Sequence, residues 1–260
     1  MKAIKELGQH FLTDIGIAEA IVDLAEIRAG EPVWEIGPGT GILTKALVAK
    51  GAQVTAFELD RRMAELLQDR FGEGFRLVLQ DILKVNWAFE LSQHQSQIKL
   101  VANIPYQITS PLLYKLEEYH SQFSCVVMML QKEVAERLGA APGSKSYGPM
   151  TLRLGLHYDI STLIRVGKES FDPVPKVDSA VIRMIPRQTP AEIRNPDVFY
   201  KVITAAFAHR RKTLRNNLIA VVGKANIDAL EAASGITFSR RAETLHEADF
   251  IRISDLVAAL

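Results

Sequence analysis

Four positions that can do chemistry recur at a near-constant interval: Gly37, Glu58, Asp81 and Asn103 are separated by 21, 23 and 22 residues. Gly37 lies in Glu35-Ile36-Gly37-Pro38-Gly39-Thr40-Gly41. Glycines at that spacing let a ligand approach the backbone closely, and the helix start behind them favours negative groups. The pattern is G-x-G-x-G, not the G-x-G-x-x-G of dinucleotide binders. The acid in front of it, Glu35, would repel a pyrophosphate and suits a cationic ligand. A carboxylate at Glu58 can accept both hydroxyls of a ribose, and one at Asp81 can accept an adenine amino group. Asn103-Ile104-Pro105-Tyr106 combines a carbonyl acceptor, a residue without a backbone donor and a ring for stacking. Those are the parts needed to hold the exocyclic amine of a base. Taken singly, each has a plainer reading as a tight turn, a solvated acid, a turn acid, or an Asx turn beside a packed tyrosine. Four of them in phase outweigh those readings.

The interval is about one strand, one helix and two turns. The pattern predicts a helix over 15–27 with Asp14 as N-cap, and a strand at 32–36. A helix at 42–49, a strand at 53–57, a helix at 61–71 and a strand at 75–79 follow. Further strands are expected at 98–102 and 123–130, with a helix at 111–119 between them. Strands alternating with helices predict a parallel sheet with crossover helices. The four polar positions then fall at the carboxyl ends of successive strands, where open α/β sheets bind ligands. Beyond a helix at 132–138 and a Gly/Pro/Ser loop at 139–148, strands are expected at 160–166 and 180–185. A Pro-rich polar stretch from Pro186 to Pro196 reads as a domain boundary, followed by helices only. We therefore expect an α/β Rossmann-like domain over residues 1–187 and a small all-helical domain over 188–260.

The chain has 260 residues, long enough to bury a sizeable core. Its single cysteine excludes a disulfide scaffold and a cysteine zinc site. No apolar run reaches the roughly 18–20 residues of a membrane helix, and MKAIKELGQHFL lacks the apolar core of a signal peptide. The expectation is a soluble cytoplasmic protein without a membrane partner. Net charge is +1, from 31 Lys+Arg against 30 Asp+Glu, and this total gives no hint of nucleic acid. Its distribution does. Between Val198 and Lys224 stand six Lys/Arg residues and no Asp or Glu. Arg210, Arg211, Lys212 and Arg215 read as a basic cluster on one and a half helical turns. A short charge run is usually a solvated face, but such faces normally mix signs.

EIGPGTG, FELD, QDI and NIPY together resemble the S-adenosylmethionine-dependent adenine-N6 methyltransferases of Rossmann-like fold, and most closely the ribosomal RNA adenine dimethyltransferases. Gln9-His10-Phe11-Leu12 resembles their N-terminal cofactor-covering motif, and Phe171 to Ser179 (FDPVPKVDS) their second target-base motif. Phe207 to Leu218 (FAHRRKTLRNNL) and Arg241-Ala242-Glu243 are similar to the KsgA (RsmA) branch. The resemblance runs from about Gln9 to Leu245. It implies a cofactor, S-adenosylmethionine, with Gly37 and Gly39 along its methionine half, Glu58 at the ribose, Asp81 at the adenine and Asn103 also in contact with it. His10 and Leu12 would close over it. It further implies that Asn103 and the Ile104 carbonyl hold the target amine, with Pro105 stiffening the turn, and that Tyr106 and a partly exposed Phe171 sandwich the target ring. The basic cluster would bind RNA. The implied substrate is small-subunit (16S) rRNA in a 30S precursor particle, modified at two adjacent adenosines by a monomer that uses no metal. The alternative is the Erm branch, which modifies large-subunit (23S) RNA. His10 stands where many members have Asn. NIPY, in place of the NLPY common in the KsgA branch, is shared with Erm and does not separate the two.

Overall fold

A computed structural model of the 260-residue chain describes residues 3–4, 7–72 and 75–260. Part of the opening segment MKAIKELGQHFL therefore lies outside the described residues. In chain order the elements are β1 (Phe11–Leu12), α1 (Ile15–Leu24), β2 (Pro32–Ile36), α2 (Ile42–Ala49), β3 (Gln53–Glu58), α3 (Arg61–Phe71), β4 (Arg76–Leu79), α4 (Trp87–Ser92), β5 (Ile98–Asn103) and α5 (Thr109–Glu118). Then come β6 (Phe123–Gln131), α6 (Lys132–Leu138), α7 (Pro149–Gly155), β7 (Tyr158–Val166), β8 (Phe171–Asp172) and β9 (Ser179–Pro186). The chain ends in α8 (Pro196–Ala206), α9 (Leu214–Val222), α10 (Ile227–Ser234) and α11 (Glu247–Ala258).

Seven strands form one sheet in the order β4-β3-β2-β5-β6-β9-β7. β2 to β6 pair in parallel. β9 runs antiparallel to both β6 and β7. The expectation of a purely parallel sheet is thus corrected at one edge. No helix crosses over between β7 and β9, so the chain returns antiparallel. Side chains alternate along the strands. Val33 faces one layer, with Ala18, Ile21 and Leu47. Trp34 faces the other, where it meets Phe57, Trp87 and Phe123 edge-on at 4.7, 5.3 and 6.0 Å. Polar caps start the helices as the sequence suggests. Asp14 accepts the Ile17 amide and Asp60 the Arg62 amide.

The chain divides into two compact units, Met1–Ala135 with Tyr158–Pro186, and Glu136–His157 with Arg187–Leu260. The change-over at Pro186/Arg187 stands one residue from the boundary at 187/188. Segment 136–157, read from sequence as part of the first domain, goes with the second. Tyr147, Leu152 and Leu156 pack into the core that α8, α9 and α11 build with Phe199, Leu218 and Phe250. Among the described residues, no helix is long and apolar enough to cross a membrane.

Candidate active site

The carboxyl ends of β2, β3, β4 and β5 open onto one cavity of about 190 Å³. Gly37, Gly39, Glu58, Asp81, Asn103, Pro105 and Tyr106 all line it, and His10, Leu12 and Phe171 close it from the other side. The phase read from the sequence is therefore a real convergence in space. Two glycines are there by necessity. Gly39 has φ +54°, and a Cβ on it would sit 3.0 Å from the Phe11 ring. Gly41 caps α2 at φ +81°, where a Cβ would meet Leu67 at 2.7 Å and Phe71 at 2.8 Å.

Glu58 ends β3 and is buried. Its Oε2 accepts the Gly39 amide at 3.1 Å, and its Oε1 accepts the Leu59 and Asp60 amides at 2.9 Å each. The carboxylate thus pins the glycine loop from below while lining the cavity. Burial raises its pKa, and the three amides pull it back. Asp81 accepts the Leu83 amide at 3.0 Å through Oδ1, so it is both turn cap and cavity wall.

Glu35 does not meet the ligand as its place in the sequence suggests. It is absent from the cavity wall and fully buried, with both carboxyl oxygens lacking hydrogen-bond partners. Burial pushes its pKa up to about 8; Thr44 lowers it and Glu58 adds to the rise. Between its ordinary 4.5 and about 8, the folded protein holds a proton that the unfolded chain releases. Stability therefore falls with rising pH across that window, by about 1.4 kcal/mol per pH unit. Glu35→Gln carries no such proton, so thermal melts should show its Tm falling less between pH 5 and 8 than the parent's. Parallel curves for the two proteins would place the titrating group elsewhere.

Asn103 ends β5. Its Nδ2 donates to the His10 carbonyl at 3.4 Å, which turns Oδ1 the other way as an acceptor. Tyr106 starts a single 3₁₀ turn, and its hydroxyl is 2.9 Å from the Ser179 hydroxyl on β9. No local sequence signal could have found that partner, 73 residues on. Burial keeps the phenol pKa above its ordinary value. The His10 imidazole lies against the Tyr106 ring, centroids 5.8 Å apart at 29°. Its Nδ1 is 2.6 Å from the Pro173 carbonyl, so that nitrogen carries the proton. Phe171 departs from expectation. Pairing of β8 with β1 draws it into the core, and only 3% of it is exposed.

A second, more open hollow of about 930 Å³ lies beside the first. Gly8 to Phe11 and Tyr106 line both, so this strap and this ring form the partition between them. Val174, Lys176 and Val177 of the FDPVPKVDS motif line its outer side, together with Gln131, which the sequence reading passed over. Among the described residues, no group of three or more His, Cys, Asp or Glu is placed to hold a metal ion.

The basic cluster does not lie along a helix. Arg210, Arg211 and Lys212 occupy the turn between α8 and α9. Arg210 donates to the carbonyls of Lys145 at 2.6 Å and Tyr147 at 3.4 Å. Arg215 pairs with Asp228 at 2.5 Å and also with Glu231, both on α10. The acid-free stretch thus receives its acids from another helix. Arg211 and Lys212 remain exposed.

A mostly parallel α/β sheet with a glycine turn after β2, an acid ending β3 and Asn-Ile-Pro-Tyr following β5 defines a Rossmann-like methyltransferase. The chain belongs to the family described as ribosomal RNA adenine dimethylase, whose family model matches residues 1–259. It is 39% identical over 271 residues to the ribosomal RNA small subunit methyltransferase A of Lactobacillus delbrueckii subsp. bulgaricus, covering 99% of this chain and 92% of that one. Its fold is similar to that of a dimethyladenosine transferase from Plasmodium falciparum, with a TM-score of 0.76 and 29% identity over 94% of this chain and 96% of that one. The fold alone is shared with the 23S rRNA methyltransferase ErmE, with a TM-score of 0.72 and 24% identity over 95% and 99% of the two chains.

Proposed function

We propose that the chain transfers methyl groups from S-adenosylmethionine to N6 of two adjacent adenosines near the 3′ end of small-subunit (16S) rRNA. The reaction gives N6,N6-dimethyladenosines during ribosome biogenesis, and the enzyme acts in the cytoplasm as a monomer on a 30S precursor particle. One observation carries this reading: Tyr106 lines both the glycine-lined cavity and the open hollow beside it, and Asn103 lines the cavity three residues before it. A cofactor on one side and a base on the other would meet there. Its likeness to relatives named for the small subunit supports this reading over the Erm alternative.

The cavity fits the cofactor on its own chemistry. Gly37 and Gly39 line its methionine half, Gly39 also letting the Phe11 ring of the strap close in, and Glu58 offers carboxylate lone pairs to ribose hydroxyls. Asp81 faces the adenine, and His10 and Leu12 cover the site. When bound, S-adenosylmethionine supplies a sulfonium-activated methyl group, so no metal and no covalent nucleophile is needed. The chain's task is to present the target amine. Asn103 Oδ1 and the Ile104 carbonyl accept its two N–H groups, which favours a pyramidal nitrogen with its lone pair aimed at the methyl. Pro105 keeps a competing backbone N–H out of the turn. Positioning of this kind is worth up to about 7–11 kcal/mol in ideal intramolecular cases. Tyr106 stacks on the extruded base, at roughly 1–3 kcal/mol, which offsets the cost of unstacking. Phe171, buried by the β1–β8 pairing, backs the cofactor cavity and does not reach the hollow from which the base enters.

Arg211 and Lys212 present free charge to RNA phosphates, while Arg210 and Arg215 hold the surrounding turn and helix in shape. Replacing Arg211 and Lys212 with Gln should lower the slope of log affinity against log salt by about 0.7–0.9 per residue. A filter-binding titration with the parent slope would remove both from the interface. The activity itself is tested by methyl transfer from labelled cofactor to under-methylated 30S particles, with 50S particles and naked RNA in parallel. Label confined to 50S material would turn the assignment to the Erm type.

A further inference from the structure

Gln9 holds the start of the strap over the cofactor cavity, just ahead of the His10 contact to the Pro173 carbonyl. Gln9 Oε1 accepts the Ile4 amide at 2.8 Å, which fixes the amide orientation, and Nε2 then donates to Asp60 Oδ2 at 2.9 Å. Asp60 is a firm anchor. It is buried, it caps α3, and Arg62 holds it through Nε at 3.0 Å and Nη2 at 2.6 Å. Its own amide is bound to Glu58. The residue after Gln9 is His10, whose carbonyl accepts Asn103 Nδ2. A continuous path therefore runs from the ribose carboxylate through Asp60 and Gln9 to the amide that receives the target amine.

We propose that Gln9 is a positioning residue for methyl transfer: its bond to Asp60 sets where the His10 carbonyl stands, and that carbonyl turns Asn103 Oδ1 toward the substrate nitrogen. An amide side chain has two nearly isosteric orientations, and only one presents an acceptor. Without a fixed acceptor for Nδ2, Asn103 is free to present its NH2 group, which cannot bind an amine N–H. Gln9 touches neither reacting atom. It acts by holding the carbonyl that selects the orientation.

This inference rests on the methyltransferase reading, and one assay separates the two. Single-turnover methylation of under-methylated 30S particles is measured at saturating S-adenosylmethionine, alongside the cofactor Kd. Label on the parent protein's 30S product is required first; its absence would sink the functional reading, not the latch. Gln9→Glu sets two carboxylates against each other and should slow the saturated rate about tenfold, a modest displacement by the measure of reacting groups. Gln9→Glu with Asp60→Asn reverses donor and acceptor, lets Arg62 Nη2 turn from position 60 to the new carboxylate at position 9, keeps a good N-cap on α3, and should return the rate to within about threefold of the parent. Gln9→Ala should be slow without any repulsion, and far-UV circular dichroism confirms that each variant is folded. An unchanged saturated rate with only a weaker Kd would reduce Gln9 to a cofactor cover. A double variant no faster than Gln9→Glu would show that the Asp60 bond is not the route.

Discussion

Asn103→Ala is expected to lower the rate of methyl transfer by about 10²–10³-fold, roughly 2.7–4 kcal/mol, the cost of removing one preorganised polar group from a transition state. The loss should fall on the chemical step. Asn103 Nδ2 is committed to the His10 carbonyl, which in the proposed pose leaves Oδ1 for the amine. The truncation therefore removes one acceptor from the nitrogen and leaves the wall formed by Gly37, Glu58 and Asp81 in place. Cofactor affinity measured by calorimetry should stay within about fivefold of the parent, because the ribose and adenine contacts proposed here are untouched. Equal losses in affinity and rate would mean that Asn103 shapes the cofactor cavity instead of presenting the amine. Undiminished single-turnover rates would remove it from the reaction altogether.

Glu58→Gln should be the most damaging isosteric change to the cofactor cavity. Both carboxylate oxygens accept backbone amides, Oε2 from Gly39 and Oε1 from Leu59 and Asp60. Gln has one oxygen and one NH2 group, so either orientation turns a donor against at least one of those buried amides. Each charge-assisted bond lost costs about 1.5–3 kcal/mol. The glycine loop held by Glu58 would shift, and the ribose would lose its acceptor at the same time. We expect the Kd for S-adenosylmethionine to rise at least about a hundredfold, about 2.7 kcal/mol, with a lowered Tm. Asp81→Asn is the comparison. Asp81 has one amide bond to lose, and Asn caps such a turn almost as well, so about tenfold is expected. A Glu58→Gln protein that binds the cofactor as tightly as Asp81→Asn would show that Glu58 only supports the loop.

Stability of the site depends on pH with opposite signs at its acids. Asp60, held at about 2 chiefly by Arg62, is a charge the fold prefers. Glu35 and Glu58 are acids whose burial favours the proton. Acidification therefore weakens the anchor of the strap only at very low pH, whereas alkalinity loads the buried acids below the glycine loop.

Much of this was legible in the chain. The spacing of Gly37, Glu58, Asp81 and Asn103 needs only the length of a strand and a helix to bring their side chains to one edge. That length is a local property, set by backbone geometry and by caps such as Asp60 within two residues of the helix they start. Glycines at left-handed turns announce themselves for the same reason. What the tertiary structure decided was each side chain's partner across long separations. Glu35 and Glu58 lie on the same face of neighbouring strands, but Glu35 stands level with Ala56, two residues below the end of β3, so it is sealed in while Glu58 at the strand end opens to the cavity. Phe171 looks like a loop aromatic until β8 pairs with β1 and buries it. Arg215 looks unopposed until α10 brings Asp228 and Glu231 to it, leaving Arg211 and Lys212 as the exposed charge. Gln9 lies 51 residues from Asp60, and Tyr106 lies 73 from Ser179. Periodicity reports which face of its own element a residue occupies. Which neighbour fills that face is set by packing between elements, and no local spacing encodes it.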